Sequence, residues 1–163
     1  MATPNRNSSV SSIHAPLRTF FLTTAAWQNR NLLQSHRMAS LLADVLQHYR
    51  NERKFALHGF VVMPNHLHVL ITLEHSTSVE KAAQFIKGGF SFRAKREIGA
   101  SQEVWHRGFS ELRVYSEAAL RTRLNYMHLN PVRAGLVVRA EDWEYSSASG
   151  RYELDLCPEY LRG

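Results

Sequence analysis

The sequence lacks most of what would staple or anchor a small protein. Among its 163 residues there is one cysteine, Cys157, which excludes an internal disulfide and any zinc site built from several cysteines. A lone cysteine agrees with a reducing cytoplasm. The longest apolar runs, such as Phe60 to Met63, fall far short of the ~18 residues of a membrane span. No apolar stretch opens the chain, so no secretory signal and no membrane partner are expected. Nothing repeats internally and no low-complexity linker divides the chain. Lysine is scarce too. Lys54, Lys81, Lys87 and Lys95 are the only four, so arginine supplies the rest of the 20 cations that face 14 acids. The net charge is +6 and the pI about 9.8. Arginine grips phosphate with a planar fork, so this excess leans towards nucleic acid, an ordinary charged surface being the plain alternative. A hydrophobic content of 44% with three tryptophans excludes a wholly disordered chain.

The organisation expected is a flexible tail over residues 1–16, a single domain over 17–150 and a C-terminal tail over 151–163. Arg18 to Thr24, Lys54 to Met63, His66 to Leu73 and Phe109 to Tyr115 read as strands. Asn31 to Glu52 reads as a helix, its apolar residues from Met38 to Tyr49 following helical spacing. Pro64-Asn65 suits a tight hairpin turn, with asparagine tolerating a left-handed conformation. Thr77-Ser78-Val79-Glu80 resembles a capping box, opening a helix to about Ile98 that Gly88-Gly89 would weaken. Ser116 can cap a last helix from Glu117 to about Leu129, ended by Asn130-Pro131 because a residue before proline avoids helical geometry. The order β-α-β-β-α-β plus a further helix predicts an α+β, ferredoxin-like split β-α-β fold with an antiparallel sheet.

Two short stretches carry chemistry. In His66-Leu67-His68 the imidazoles are two residues apart on a strand, so both project from one face and can grip one divalent metal. Two histidines on a polar sheet face are the plain alternative. On the last helix, Leu120, Leu124 and Met127 share a stripe. Tyr126 lies off that stripe beside Arg123 and Asn130, where a tyrosine could be a nucleophile held over phosphate or an amphipathic residue at the core edge. Asn130 can also be the N-cap of a short turn opening at Pro131 and stopping at Gly135.

Together these pieces resemble a known family. His66-Leu67-His68 resembles the HUH motif, and Val61 to Val69 its surroundings in single-tyrosine HUH transposases. Tyr126 to Val137 is similar to the catalytic-tyrosine segment of the REP-associated branch, with Trp105 to Phe109 and Glu141 to Ser147 as flanking signatures. The resemblance implies a metal-dependent transposase that cleaves and rejoins single-stranded DNA at hairpins. In it, His66 and His68 hold Mg²⁺ or Mn²⁺ and Tyr126 attacks, leaving a 5′-phosphotyrosine and a free 3′-hydroxyl. Asn130 stands where related transposases carry a glutamine ligand. It implies a bacterial cytoplasmic protein on the nucleoid, acting as monomer or homodimer. DNA contacts are expected from Arg123 and Arg133, from Lys87, Arg93, Lys95 and Arg96, and from Arg107 and Arg113. A non-catalytic, domesticated hairpin-binding protein of the same fold and a small-phosphoester metallohydrolase are the rival functions.

Overall fold

The computed structural model describes residues 17–163; the tail expected over 1–16 lies outside the described residues. Four strands, β1 (Arg18–Ala25), β2 (Ala56–Met63), β3 (His66–Leu73) and β4 (Ser110–Val114), form one antiparallel sheet in the order β2-β3-β1-β4. Three helices accompany it: α1 (His36–Asn51), α2 (Val79–Ile98) and α3 (Glu117–Arg133). This is the ferredoxin-like arrangement expected. No helix is long and apolar enough to cross a membrane among the described residues.

Strand alternation divides the sheet. Phe20, Leu22, Leu57, Phe60, Val62, Leu67, Val69 and Ile71 point to one face and are buried under α1 and α2. Phe21, Val61, Met63 and Leu70 point to the other, where they meet Leu120 and Met127 of α3. The second face also carries His66 and His68. At His58 the β2–β3 register slips by a residue, so Gly59 faces α3 while the His58 ring turns to Thr72 and Asp155.

Several local features differ from expectation. α1 begins at His36 because Ser35 caps it, accepting from the Met38 amide at 3.1 Å. The chain just before it is tied to the hairpin instead, with the Leu33 amide donating to Pro64 O. Asn65 keeps a negative φ; positive values outside glycine fall at Gln28, Asn29 and Arg53 among the described residues. Ser78, not Thr77, caps α2. α2 runs unbroken through Gly88-Gly89, and Gly89 has a use: a Cβ there would lie 2.6 Å from the Tyr49 hydroxyl. α3 does not end at Asn130-Pro131 but continues to Arg133. Pro131 is buried, so packing outweighs the local bias against helix before proline. Arg133 folds back along the helix and donates to Tyr126 O at 2.7 Å.

Residues 143–161 are docked on the sheet rather than trailing from it. Val62 N donates to Tyr145 O and the Trp143 indole to Val62 O, covering the β2 edge. Ser147 Oγ bonds both Phe60 backbone groups and the His128 ring, tying α3 to β2. Farther on, in the segment expected as a tail, Asp155 accepts from Leu57 N and from the Arg50 fork. His58 Nδ1 donates to Asp155 O at 2.9 Å, and its Nε2 accepts from Thr72 Oγ1 at 2.6 Å. Thr72 continues to Thr19 and Tyr160 through hydroxyl contacts of 2.8 and 2.7 Å.

Two predictions follow from this packing. A Cβ at Gly59 would collide with Leu124 Cδ2 and lie 3.1 Å from Met127 Cε. Gly59→Ala should therefore cost about 1–3 kcal/mol by forcing α3 outward, measured by urea unfolding; unchanged stability would mean α3 does not depend on that close approach. Burial pushes the His58 pKa down, outweighing the raising influence of Asp155. Its stabilising effect is complete above the unfolded histidine value of about 6.5 and is lost as pH falls through that value towards the lower folded one. The urea midpoint should drop on acidification across this window, less steeply in His58→Gln; identical slopes would exclude His58 as a contributor.

Candidate active site

β3 sets the two histidines side by side. His66 and His68 pair with Ala25 and Thr23 of β1, and their ring centroids are 4.7 Å apart on one face. Each ring is oriented by a neighbour. Asn65 Oδ1 accepts from His66 Nδ1 at 2.7 Å, which fixes the tautomer with its lone pair on Nε2. Thr23 Oγ1 lies 2.7 Å from His68 Nδ1 and can hold that ring in the same way. Burial lowers the His66 pKa. For His68, burial first, then His66 and Arg133, push it down to about 3. Both rings are thus neutral at neutral pH, as metal ligation requires.

α3 lies over the same face. The Tyr126 ring meets His68 edge-on at 5.7 Å and Phe21 at 6.1 Å, while Phe21 stacks on His68 at 5.1 Å. Arg133 sits over the Tyr126 ring at 4.7 Å, and Arg123 over Phe21 at 5.5 Å. Tyr126 remains 43% exposed, open to a macromolecular ligand. The tyrosine, two histidines and two arginines of a single chain therefore meet around Phe21. His128 points away, to Ser147, as its position on the helix predicts.

Residues 21–129 match the family model described as transposase, IS200-like. The chain belongs to that family. Its curated relatives include a REP-associated tyrosine transposase of Escherichia coli K12, 25% identical over 143 residues, covering 84% of this chain and 83% of the relative. A Haemophilus influenzae relative is 26% identical over 140 residues, covering 76% and 80%. The fold is similar to that of a REP-associated tyrosine transposase solved bound to a REP hairpin, with a TM-score of 0.66, 25% identity, and 88% and 87% of the two chains covered.

Within this IS200-like frame the expected residues separate into groups. Asn130 is helical, so the N-cap reading is overturned; it is half-buried one turn beyond Tyr126, on the same side of α3. The candidate donor set is the two imidazole nitrogens of His66 and His68, with Asn130 on the helix side that carries Tyr126. Among the described residues no group of three His, Cys, Asp or Glu gathers as ligands. Two imidazoles suit a first-row divalent ion better than a hard one, and so small a donor set would leave most of the coordination shell to water and substrate phosphate. The structure does not bring the α2 cations or Arg113 to this face. Arg93 is paired with Asp44 and Glu97 at 2.7 Å each, between α1 and α2. Arg96 bonds Glu97, and Lys95 is exposed on the same helix. Lys87 donates to His106 O and Gly108 O. Arg113 points to the helix-covered face, over Phe20 and Tyr115. Arg107 is exposed beside β1. Trp105 and Trp143 serve packing, Trp105 being 6% exposed and Trp143 bonded to β2.

Sequence reasoning missed Phe21, Thr23 and Asn65. Asn65 was visible as the neighbour of His66; Thr23 and Phe21 are 43 or more positions away and reach the site only through strand register. Partners that orient a ligating histidine typically matter ten- to a hundredfold for metal affinity. Thr23→Val and Asn65→Ala should each weaken Mn²⁺ binding by about that factor, read by titration of the DNA-free protein. Unchanged affinity in both would exclude the orienting role.

Proposed function

We propose that this protein is a single-strand DNA transferase that cuts and rejoins hairpin DNA through Tyr126. The observation that carries the reading is the Tyr126 ring facing His68 of its own chain at 5.7 Å. A monomer would suffice for such a site. The hairpin bound in the related REP-associated structure supports the choice of substrate, as does the net charge of +6.

His66, His68 and Asn130 would hold Mg²⁺ or Mn²⁺. When bound, the ion neutralises charge on the scissile phosphate. Tyr126 Oη forms a bond to phosphorus as the bond from phosphorus to the 3′ oxygen breaks. The phenol proton is balanced by the proton gained on the departing 3′-hydroxyl. The DNA 5′ end stays on Tyr126, and attack by a 3′-hydroxyl reverses the step and rejoins a strand. Arg133 holds the tyrosine's ring and carbonyl, and Arg123 supplies positive charge beside Phe21.

Incubation with single-stranded hairpin oligonucleotides and Mn²⁺ should give a covalent protein–DNA adduct on denaturing gels. Tyr126→Phe removes one exposed oxygen and should abolish the adduct while keeping hairpin affinity. His66→Ala and His68→Ala should lose metal-dependent cleavage. Binding without an adduct from the unsubstituted protein would identify a non-catalytic hairpin binder instead. An adduct from Tyr126→Phe at the original rate would exclude this tyrosine.

A further inference from the structure

A second concavity lies beside the histidines, on the far side of β1. Thr23 and Ala25 form its floor and residues 106–110 its wall, enclosing about 260 Å³. Thr23 and Ala25 are the β1 partners of His68 and His66, so the pocket and the histidines are separated by roughly one strand spacing, ~5 Å. On the other side of the histidines, α3 and residues 143–147 close the β2 edge. The β4 side is open, with Leu112 43% exposed. A strand laid across the histidines therefore continues towards this pocket.

The wall is held in place from behind. Lys87 of α2 donates from Nζ to His106 O at 3.0 Å and to Gly108 O at 2.7 Å. The Trp105 indole donates to Lys87 O at 3.0 Å, and His106 N donates to Ala25 O at 2.9 Å. Gly108 has a φ of 79°, a left-handed turn that glycine takes without steric cost and that feeds the chain into β4. The lining is mixed: exposed His106, Arg107 and Ser110 stand beside Phe109, Ala25 and Gly108. A guanidinium suits a phosphate, and a ring beside a hydroxyl suits a base and sugar. The volume falls just below the ~300 Å³ at which drug-sized sites begin, in keeping with a single nucleotide.

We propose that this pocket seats the unpaired nucleotide adjoining the scissile phosphate, with Arg107 on its phosphate and Lys87 as the positioning residue that fixes the wall. The assignment rests on the strand-transfer reading, but its test does not. Labelled, metal-free protein is titrated separately with deoxynucleoside 5′-monophosphates, with deoxynucleosides and with inorganic phosphate, and followed by amide resonances. The monophosphates should give saturable shifts at Thr23, Ala25 and 106–110, binding at least about tenfold tighter than phosphate alone. Arg107→Ala should weaken the monophosphates about tenfold and leave the deoxynucleosides unchanged. Lys87→Met should weaken both, and Lys87→Arg, which can still donate to two carbonyls, should restore them. Silent amides at 106–110, or phosphate binding as tightly as the nucleotide, would overturn the proposal. Adduct formation on a hairpin oligonucleotide is scored apart from this: its absence counts against Tyr126 chemistry, and silent amides count against the pocket.

Discussion

The antiparallel register between β1 and β3 is the constraint on which the rest of this molecule depends. It sets Thr23 opposite His68 and Ala25 opposite His66. A slip of one residue would turn both imidazoles into the core and Leu67 and Val69 out of it. The register is held because Leu67, Val69 and Ile71 are buried beneath α1 and α2, each no more than 1% exposed. The hydrophobic face thus fixes the polar one. Burial of the strand also keeps the rings neutral, which is the state in which imidazole can bind a metal.

The tyrosine reaches the histidines by a different device. Besides the packing of Leu120 and Met127 on Val61 and Met63, α3 comes close to β2 where the sheet has no side chain, at Gly59, and where Ser147 bridges the Phe60 backbone to His128. Pro131 inside the helix and Arg133 beyond it then keep α3 long enough for the guanidinium to fold back over Tyr126. Helix, bulge and the docked segment after α3 act together, since removing any one loosens the seat of the others.

Positive charge is divided between building and binding. Arg50, Arg93 and Lys87 are engaged with Asp155, Asp44 and Glu97, and backbone carbonyls. Arg123 and Arg133 stand over the Phe21 and Tyr126 rings on the tyrosine face, with Arg107 at its border. A basic pI therefore overstates the surface free to meet a phosphate; on the proposed reading the part that would meet DNA is local to α3 and the turn before β4.

The sequence by itself determined the strand and helix order, the burial of Leu67 between two same-facing histidines, and the off-stripe position of Tyr126. Each of these depends on periodicity over a few residues, which the chain carries locally. It also determined the family resemblance, through contiguous motifs. Tertiary structure decided what local rules could not reach. Pro131 stays helical because it is buried, against the bias on the residue before it. His58 meets Thr72 and Asp155 because a bulge shifts its parity. Lys87 and Arg93, indistinguishable in sequence from DNA-binding cations, are committed to carbonyls and acids brought from elsewhere in the fold. Thr23 became a partner of His68 across 45 positions. Each of these outcomes turns on contacts between residues far apart in the chain, and such contacts exist only once the sheet register and helix packing are set.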